Sequence, residues 1–187
     1  MLDRRLGEVT VRLSRRSHDA GFTLVEVLTA VSILGIVTAV AATNFTAMLP
    51  AFRARGAALL VAGDLNQARM WAVHDALIYD YFPLAGGYQI RRDDGVGGRV
   101  VIKQVLLSAE YPTVQFGYTG ITKDPYNANI AGAAPTAAMT FDSNGTVQNA
   151  TNIFLQAPNG TQYDQEAVTL SAAGRVRVWK YDATAWH

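Results

Sequence analysis

Gly21-Phe22-Thr23-Leu24-Val25-Glu26-Val27 opens the stretch that decides how this chain is organised. From there until Arg53 the only charged side chain is Glu26. A helix needs about 20 apolar residues to cross the hydrocarbon core of a bilayer, and this run is long enough. Ahead of it, residues 1–21 hold Arg4, Arg5, Arg12, Arg15 and Arg16 against Asp3, Glu8 and Asp19. Arginines before an apolar run read as a targeting segment whose basic side stays in the cytoplasm. Three fates fit: a secretory signal cleaved near Ala39-Val40-Ala41-Ala42, a plain membrane anchor, and a segment processed before it begins. Glu26 discriminates between them. A carboxylate inside a spanning helix costs about 2.5–3.5 kcal/mol on insertion scales and marks a function.

The whole chain is 187 residues, room for one domain of ordinary size and an appendage. Half of it is apolar and 17% is charged, a composition that excludes intrinsic disorder. There is no cysteine, so disulfide frameworks, thiol nucleophiles and cysteine zinc sites are excluded together. Beyond residue 21 the chain is close to neutral, without the global field of a dedicated nucleic-acid binder.

The GFTLVE stretch resembles the class III signal of type IV pilins and type II secretion pseudopilins. Gly21, Phe22 and Glu26 match residue by residue, and so does the apolar helix that follows. The resemblance implies that prepilin peptidase cleaves between Gly21 and Phe22 and methylates the new amine of Phe22. It also implies that Glu26 meets the N-terminal amine of a neighbouring subunit. Elementary electrostatics agrees: an ammonium and a carboxylate, each costly alone in a low-dielectric setting, satisfy one another, and the pairing fixes register more than it adds stability.

Helical periodicity continues past the apolar run. Val61, Leu65, Ala68, Ala72 and Ala76 form a narrow apolar stripe, with Arg53, Arg55, Asp64, Gln67, Arg69 and Asp75 as the polar remainder. One helix over residues 22–75 is expected, bent or loosened at Pro50 and Gly56. After Tyr79 the period becomes two. Tyr88-Gln89-Ile90-Arg91-Arg92 and residues 99–106 flank Asp93-Asp94-Gly95-Val96-Gly97-Gly98 as a hairpin. Further strands are expected at 113–118, 138–141, 153–156, 167–170 and 175–181, with turns at Asn144-Gly145 and Asn159-Gly160. Residues 120–135, rich in Gly, Ala, Asn and Pro, are expected to form a mobile loop.

Thr140-Phe141-Asp142-Ser143-Asn144-Gly145-Thr146 and Val168-Thr169-Leu170-Ser171-Ala172-Ala173-Gly174-Arg175-Val176-Arg177-Val178 look like the GspH/FimT-type minor pseudopilin domain. That resemblance implies an α+β fold: a long N-terminal hydrophobic helix packed by its C-terminal half on a β-sandwich-like pair of antiparallel sheets. The expected organisation is a cleaved leader over 1–21, a transmembrane or filament-core helix over 22–52, and a periplasmic domain over 53–187. The expected setting is the bacterial inner membrane, crossed once, with filament association after assembly. The implied partners are prepilin peptidase and other major and minor pseudopilins or pilins.

Enzymatic constellations are missing from the sequence. His18 lies in the leader, His187 is the last residue and His74 stands alone on a helix, so no histidine pair has zinc-ligand spacing. Neither GxxxxGK[ST] nor a GxGxxG after a strand occurs. Asp142-Ser143-Asn144-Gly145 lacks the terminal Glu of a calcium loop and reads as a turn. No enzyme activity, cofactor, metal or small-molecule substrate is expected. Gly174-Arg175-Val176-Arg177 carries the alternative function. The FimT-type branch that takes up DNA uses a GRxR motif near its C-terminus, and alternation sets Arg175 and Arg177 on one strand face, with Lys180 close after them. Trp179, Tyr181 and Trp186 are available to stack on bases. The plainer reading makes Gly174 a turn and the arginines the solvated face of a last strand.

Overall fold

A computed structural model describes residues 22–130, 138–159 and 162–187. The chain divides into two compact units, Met1–Ala42 and Thr43–His187. Helix α1, Leu24–Asp75, contributes to both. In the first unit its residues are exposed throughout, and the helix is long and apolar enough to cross a membrane. Its few hydroxyls do not need outside partners. Thr29, Ser32 and Thr38 donate to the backbone carbonyls of Glu26, Leu28 and Leu34 at 2.9, 2.8 and 2.7 Å, which makes them tolerable in apolar surroundings.

The second unit contains the rest of α1 and two antiparallel sheets. The first sheet has the order β3-β2-β1-β5-β6, built from β1 (Tyr79–Leu84), β2 (Gly87–Asp93), β3 (Arg99–Leu106), β5 (Met139–Phe141) and β6 (Val147–Gln148). The second has the order β4-β7-β8-β9, built from β4 (Gln115–Phe116), β7 (Asn152–Asn159), β8 (Gln162–Leu170) and β9 (Val176–Tyr181). A single turn, α2 (Leu107–Glu110), follows β3. The fold is therefore α+β, a long N-terminal helix followed by two antiparallel sheets, as in type IV pilins.

The buried face of α1 is made of small residues: Ala54, Ala57, Ala58, Ala62, Ala68 and Ala72, with Val61 and Leu65 among them. The bulk comes from the sheets, where Tyr81, Tyr88, Ile90, Phe141, Ile153, Leu155 and Val168 complete one core. Alanines let the backbone of the helix approach closely while large strand side chains fill the space at crystal-like density.

Several expectations change. Asp64 was expected on the polar face but is buried, and its carboxylate accepts from the Tyr88 hydroxyl and the Lys103 ammonium, each at 2.7 Å. The helical period had to place it there, one residue before Leu65, and the two donors offset its desolvation. Burial, and then that carboxylate, push the Tyr88 hydroxyl pKa well up. Ala76 was expected in the apolar stripe but is exposed beyond the end of α1, in the left-handed region at φ 55°. The helix runs without interruption through Pro50 and Gly56. Gly56 has a packing role: a Cβ there would lie 2.6 Å from Cε1 of Tyr111.

The hairpin forms as expected, β3 with the expected bounds and β2 one residue longer at each end, with Asp93 and Asp94 carboxylates capping the N–H groups of Gly95, Val96 and Gly98. A bulge between Ile90 and Arg91 leaves Ile102 without a partner in that register. Strands β1 and β6 were not anticipated, and the strand expected over 113–118 shrinks to β4. In β1, Pro83 is tolerated because β5 pairs only with Tyr79, Asp80 and Tyr81, so its missing N–H faces no ladder. The part of the expected mobile loop that is described, 120–130, is a hydrogen-bonded turn closed by a bridge between Lys123 and Asn129 and held to β7 by Asn152. Residues 131–135 of it lie outside the described residues.

The close approach of Tyr111 gives a test. Alanine is ordinarily better than glycine in a helix interior by about 1 kcal/mol. Gly56→Ala is expected to lower the melting temperature of the protein, and to raise it when Tyr111→Ala has removed the ring. Thermal unfolding of the four-member cycle measures the coupling.

Candidate functional site

Two regions hold the residues that the sequence singles out. At the first, Phe22 and Thr23 precede the helix, and the Phe22 side chain is 82% exposed. Thr23 is the N-cap: its hydroxyl accepts from the Glu26 N–H at 3.2 Å. Thr23-Leu24-Val25-Glu26 thus has the spacing of a capping box, with an acidic residue in the first turn where the helix dipole favours it. The T-x-x-E spacing is the sequence signal for this cap. Glu26 is exposed and has no cation within ion-pair distance among the described residues. Gly21 lies outside them.

At the second, Gly174 ends the turn between β8 and β9 at φ 77°, its N–H donating to the Ser171 carbonyl at 2.8 Å. A Cβ on Gly174 would sit 2.4 Å from the Gly145 carbonyl oxygen and 2.5 Å from Nε of Arg69. Arg69 itself donates to that carbonyl at 2.9 Å, so the helix is stitched to the β5–β6 turn at the point where the β8–β9 turn presses against it. The glycine of the GRVR motif is therefore required by packing. The β5–β6 turn is the one expected at Asp142-Ser143-Asn144-Gly145. Its Asp142 carboxylate accepts from the Thr146 hydroxyl and the N–H groups of Asn144 and Thr146, which together hold its pKa below the usual range.

Arg175 and Arg177 are both exposed, and the Arg177 guanidinium stands 6.0 Å from the ring centroid of Trp179. Trp179 is held by its indole N–H on the Thr169 hydroxyl at 3.0 Å and by the edge of Tyr126. Beyond it, Trp186 packs against Tyr181 and Phe154. Residues 180–187 fold back so that Lys180 and His187 exchange backbone hydrogen bonds at 2.9 Å.

Lys180 does not join the arginines. Strand alternation separates it from Arg177 by an odd number of residues, which puts it on the face of Val176 and Val178, across the ladder from Glu166. There it lines a groove of about 600 Å³ with Met48, Phe52, Arg55, Asp164 and Glu166. Glu166 is buried and accepts from Arg55 at 2.9 Å. Burial raises its carboxyl pKa, with Arg55 and then Lys180 opposing. His74 is exposed on the helix, as the sequence suggests, and hydrogen bonds to Asp75 at 2.7 Å. Among the described residues no three His, Cys, Asp or Glu side chains gather to hold a metal ion.

Residues 16–42 match the model of the prokaryotic N-terminal methylation motif. With the helix and two sheets already described, the motif supports a type IV pilin-like protein. The match covers the start of the chain, and neither a curated protein nor a solved structure matches the sequence. An N-terminal methylation motif ahead of a helix long and apolar enough to cross a membrane is the combination that marks type IV pilin-like proteins.

The packing of Gly174 separates a structural glycine from surface arginines. An alanine in the left-handed region costs about 1–2 kcal/mol before any clash, so Gly174→Ala is expected to destabilise the protein by about 2 kcal/mol or more. Arg175→Ala and Arg177→Ala are each expected to change stability by less than about 0.5 kcal/mol. Urea unfolding of the three variants checks the contrast.

Proposed function

We propose that the chain is a minor pseudopilin of the type II secretion system, or a related minor type IV pilin, of the GspH/FimT type. In this reading prepilin peptidase cleaves between Gly21 and Phe22 and the amine of Phe22 is methylated. Residues 22–52 then cross the inner membrane, residues 53–187 stand in the periplasm, and the subunit is assembled near the tip of a filament with other pilins. The observation that carries the reading is the methylation motif over residues 16–42, which coincides with a helix start that leaves Phe22 ahead of the first turn. A bond outside the helix is open to a peptidase, whereas one inside it would need unwinding. Glu26 is then the acceptor for the ammonium of a neighbouring subunit.

Mass spectrometry of the mature N-terminus is expected to find methylated Phe22. A terminus near Thr43 would identify a secretory signal instead. Glu26→Val removes a carboxylate that costs about 2.5–3.5 kcal/mol in the bilayer, so insertion is expected to be intact or improved while crosslinking to other pilins falls. Normal incorporation of Glu26→Val into filaments would overturn the pairing.

A second reading, capture of extracellular DNA, is favoured by one observation: the side chains of Arg175 and Arg177 are exposed, the latter beside Trp179, and make no hydrogen bond among the described residues. With so few cations the binding would be weak and non-specific, with a salt dependence as shallow as its few phosphate contacts allow. Gel shifts of the full chain in detergent at low salt are expected to disappear in Arg175→Ala/Arg177→Ala and to persist in Lys180→Ala, whose side chain lies on the other face. Absence of any wild-type shift would leave the assembly role alone.

A further inference from the structure

The groove lined by α1, β8 and β9 holds charges of both signs that its own unit does not use up. By strand alternation Asp164 and Glu166 share one face of β8, and Lys180 stands across from Glu166 on β9. Glu166 is 2% exposed, and its Oε2 accepts from Arg55 while Oε1 has no donor among the described residues. Asp164 accepts from the Asn159 amide through Oδ2 at 2.9 Å and keeps Oδ1. Lys180 is tied to His187 through its backbone, but its ammonium has neither a hydrogen bond nor an ion pair among the described residues. A buried carboxylate oxygen without a donor costs free energy until something polar reaches it. Water can do that, but water leaves the lip of the groove unmet: Met48 and Phe52 are each more than half exposed.

The helix sets the level at which this groove opens. About 20 residues cross the hydrocarbon core, so a segment that enters it at Phe22 leaves it at about residue 42. The headgroup layer, about 5–8 Å on each side, takes up about five residues more at about 1.5 Å each. Met48 stands at that level and Phe52 one turn beyond it. We propose that the groove binds a membrane phospholipid whose headgroup carries both a phosphodiester and a primary ammonium. The ammonium donates to Oε1 of Glu166 and to Asp164. The phosphodiester accepts from Lys180 and from the N–H groups of Arg55 that Glu166 does not take, and Met48 and Phe52 meet the first carbons of the acyl chains. A free anion would answer the cations only and a free amine the carboxylates only, whereas the zwitterion answers both and its tails account for the apolar lip. The volume of about 600 Å³ is ordinary for a small-molecule site. The proposal rests on the reading of residues 22–52 as the membrane segment.

Native mass spectrometry of the full chain, released from detergent micelles titrated with phospholipids of matched acyl chains, reads the headgroup preference. Phosphatidylethanolamine is expected to bind at least about fivefold more tightly than phosphatidylcholine, whose trimethylammonium has the same charge but no N–H to donate. The same margin is expected over phosphatidylglycerol, which has the phosphodiester and no cation. Asp164→Asn is expected to reduce the preference over phosphatidylcholine at least about twofold and to leave phosphatidylcholine binding unchanged. Lys180→Ala, which removes a phosphate contact, is expected to weaken both by about fivefold. Equal binding of the three lipids would overturn the proposal, and so would a preference untouched by Asp164→Asn. Equally tight binding of glycerophosphoethanolamine, which has no tails, would also overturn it by making the ligand a free headgroup. The N-terminal mass, read on the same protein, keeps the two proposals apart: methylated Phe22 without headgroup preference removes the lipid site only, and preference with an uncut leader removes the processing only.

Discussion

The second unit depends on how closely the alanine face of α1 lies against the strands. Six alanines, with Val61 and Leu65, give the helix almost no relief, so the tyrosines, Phe141 and the branched side chains of both sheets must supply the volume. Close approach has a second effect: it brings the helix backbone within range of groups that are remote in sequence. Arg55 reaches Glu166, Asp64 reaches Lys103, Arg69 reaches Gly145, and Gly56 is left without a side chain so that Tyr111 can fit. Each is a tie from one side of the helix to a different element, and together they fix its rotation about its own axis.

That rotation explains the distribution of charge. A polar helical residue next to a core position can reach solvent or reach a partner inside. In α1 the partners are inside, and the outer face is left to Leu59, Asn66, Met70 and Val73. The same logic separates the cations of β9. Arg177 shares its side of the strand with Trp179, while Lys180, three residues on, belongs with the buried carboxylate of Glu166.

The parts of the fold governed by local period were legible. The long helix, the β2–β3 hairpin and the last strand follow from spacing alone, and β3 has the expected bounds because Gly95, Gly97 and Gly98 punctuate it so clearly. The short strands were not, since β6 is two residues long and β1 carries Asp80 and Pro83, whose acceptability depends on Arg91 and on where β5 stops pairing. Asp64 was assigned to solvent because its donors lie 24 and 39 residues away. At the candidate sites, the signal around Phe22 and Glu26 is contiguous and could be read directly. The patch around Arg177 could not, because Tyr126 and Thr169, which hold Trp179 beside it, come from a turn and a strand that no local pattern links.

The hydroxyls of the first unit carry one more implication. Thr29, Ser32 and Thr38 are closed onto the carbonyls of their own helix, and Thr23 is spent on the first turn. Moving residues 22–42 from lipid tails to a sheath of apolar side chains would therefore break no hydrogen bond and create none. The segment is indifferent to which of the two solvents surrounds it, and the free energy of the exchange turns on a single polar side chain, Glu26.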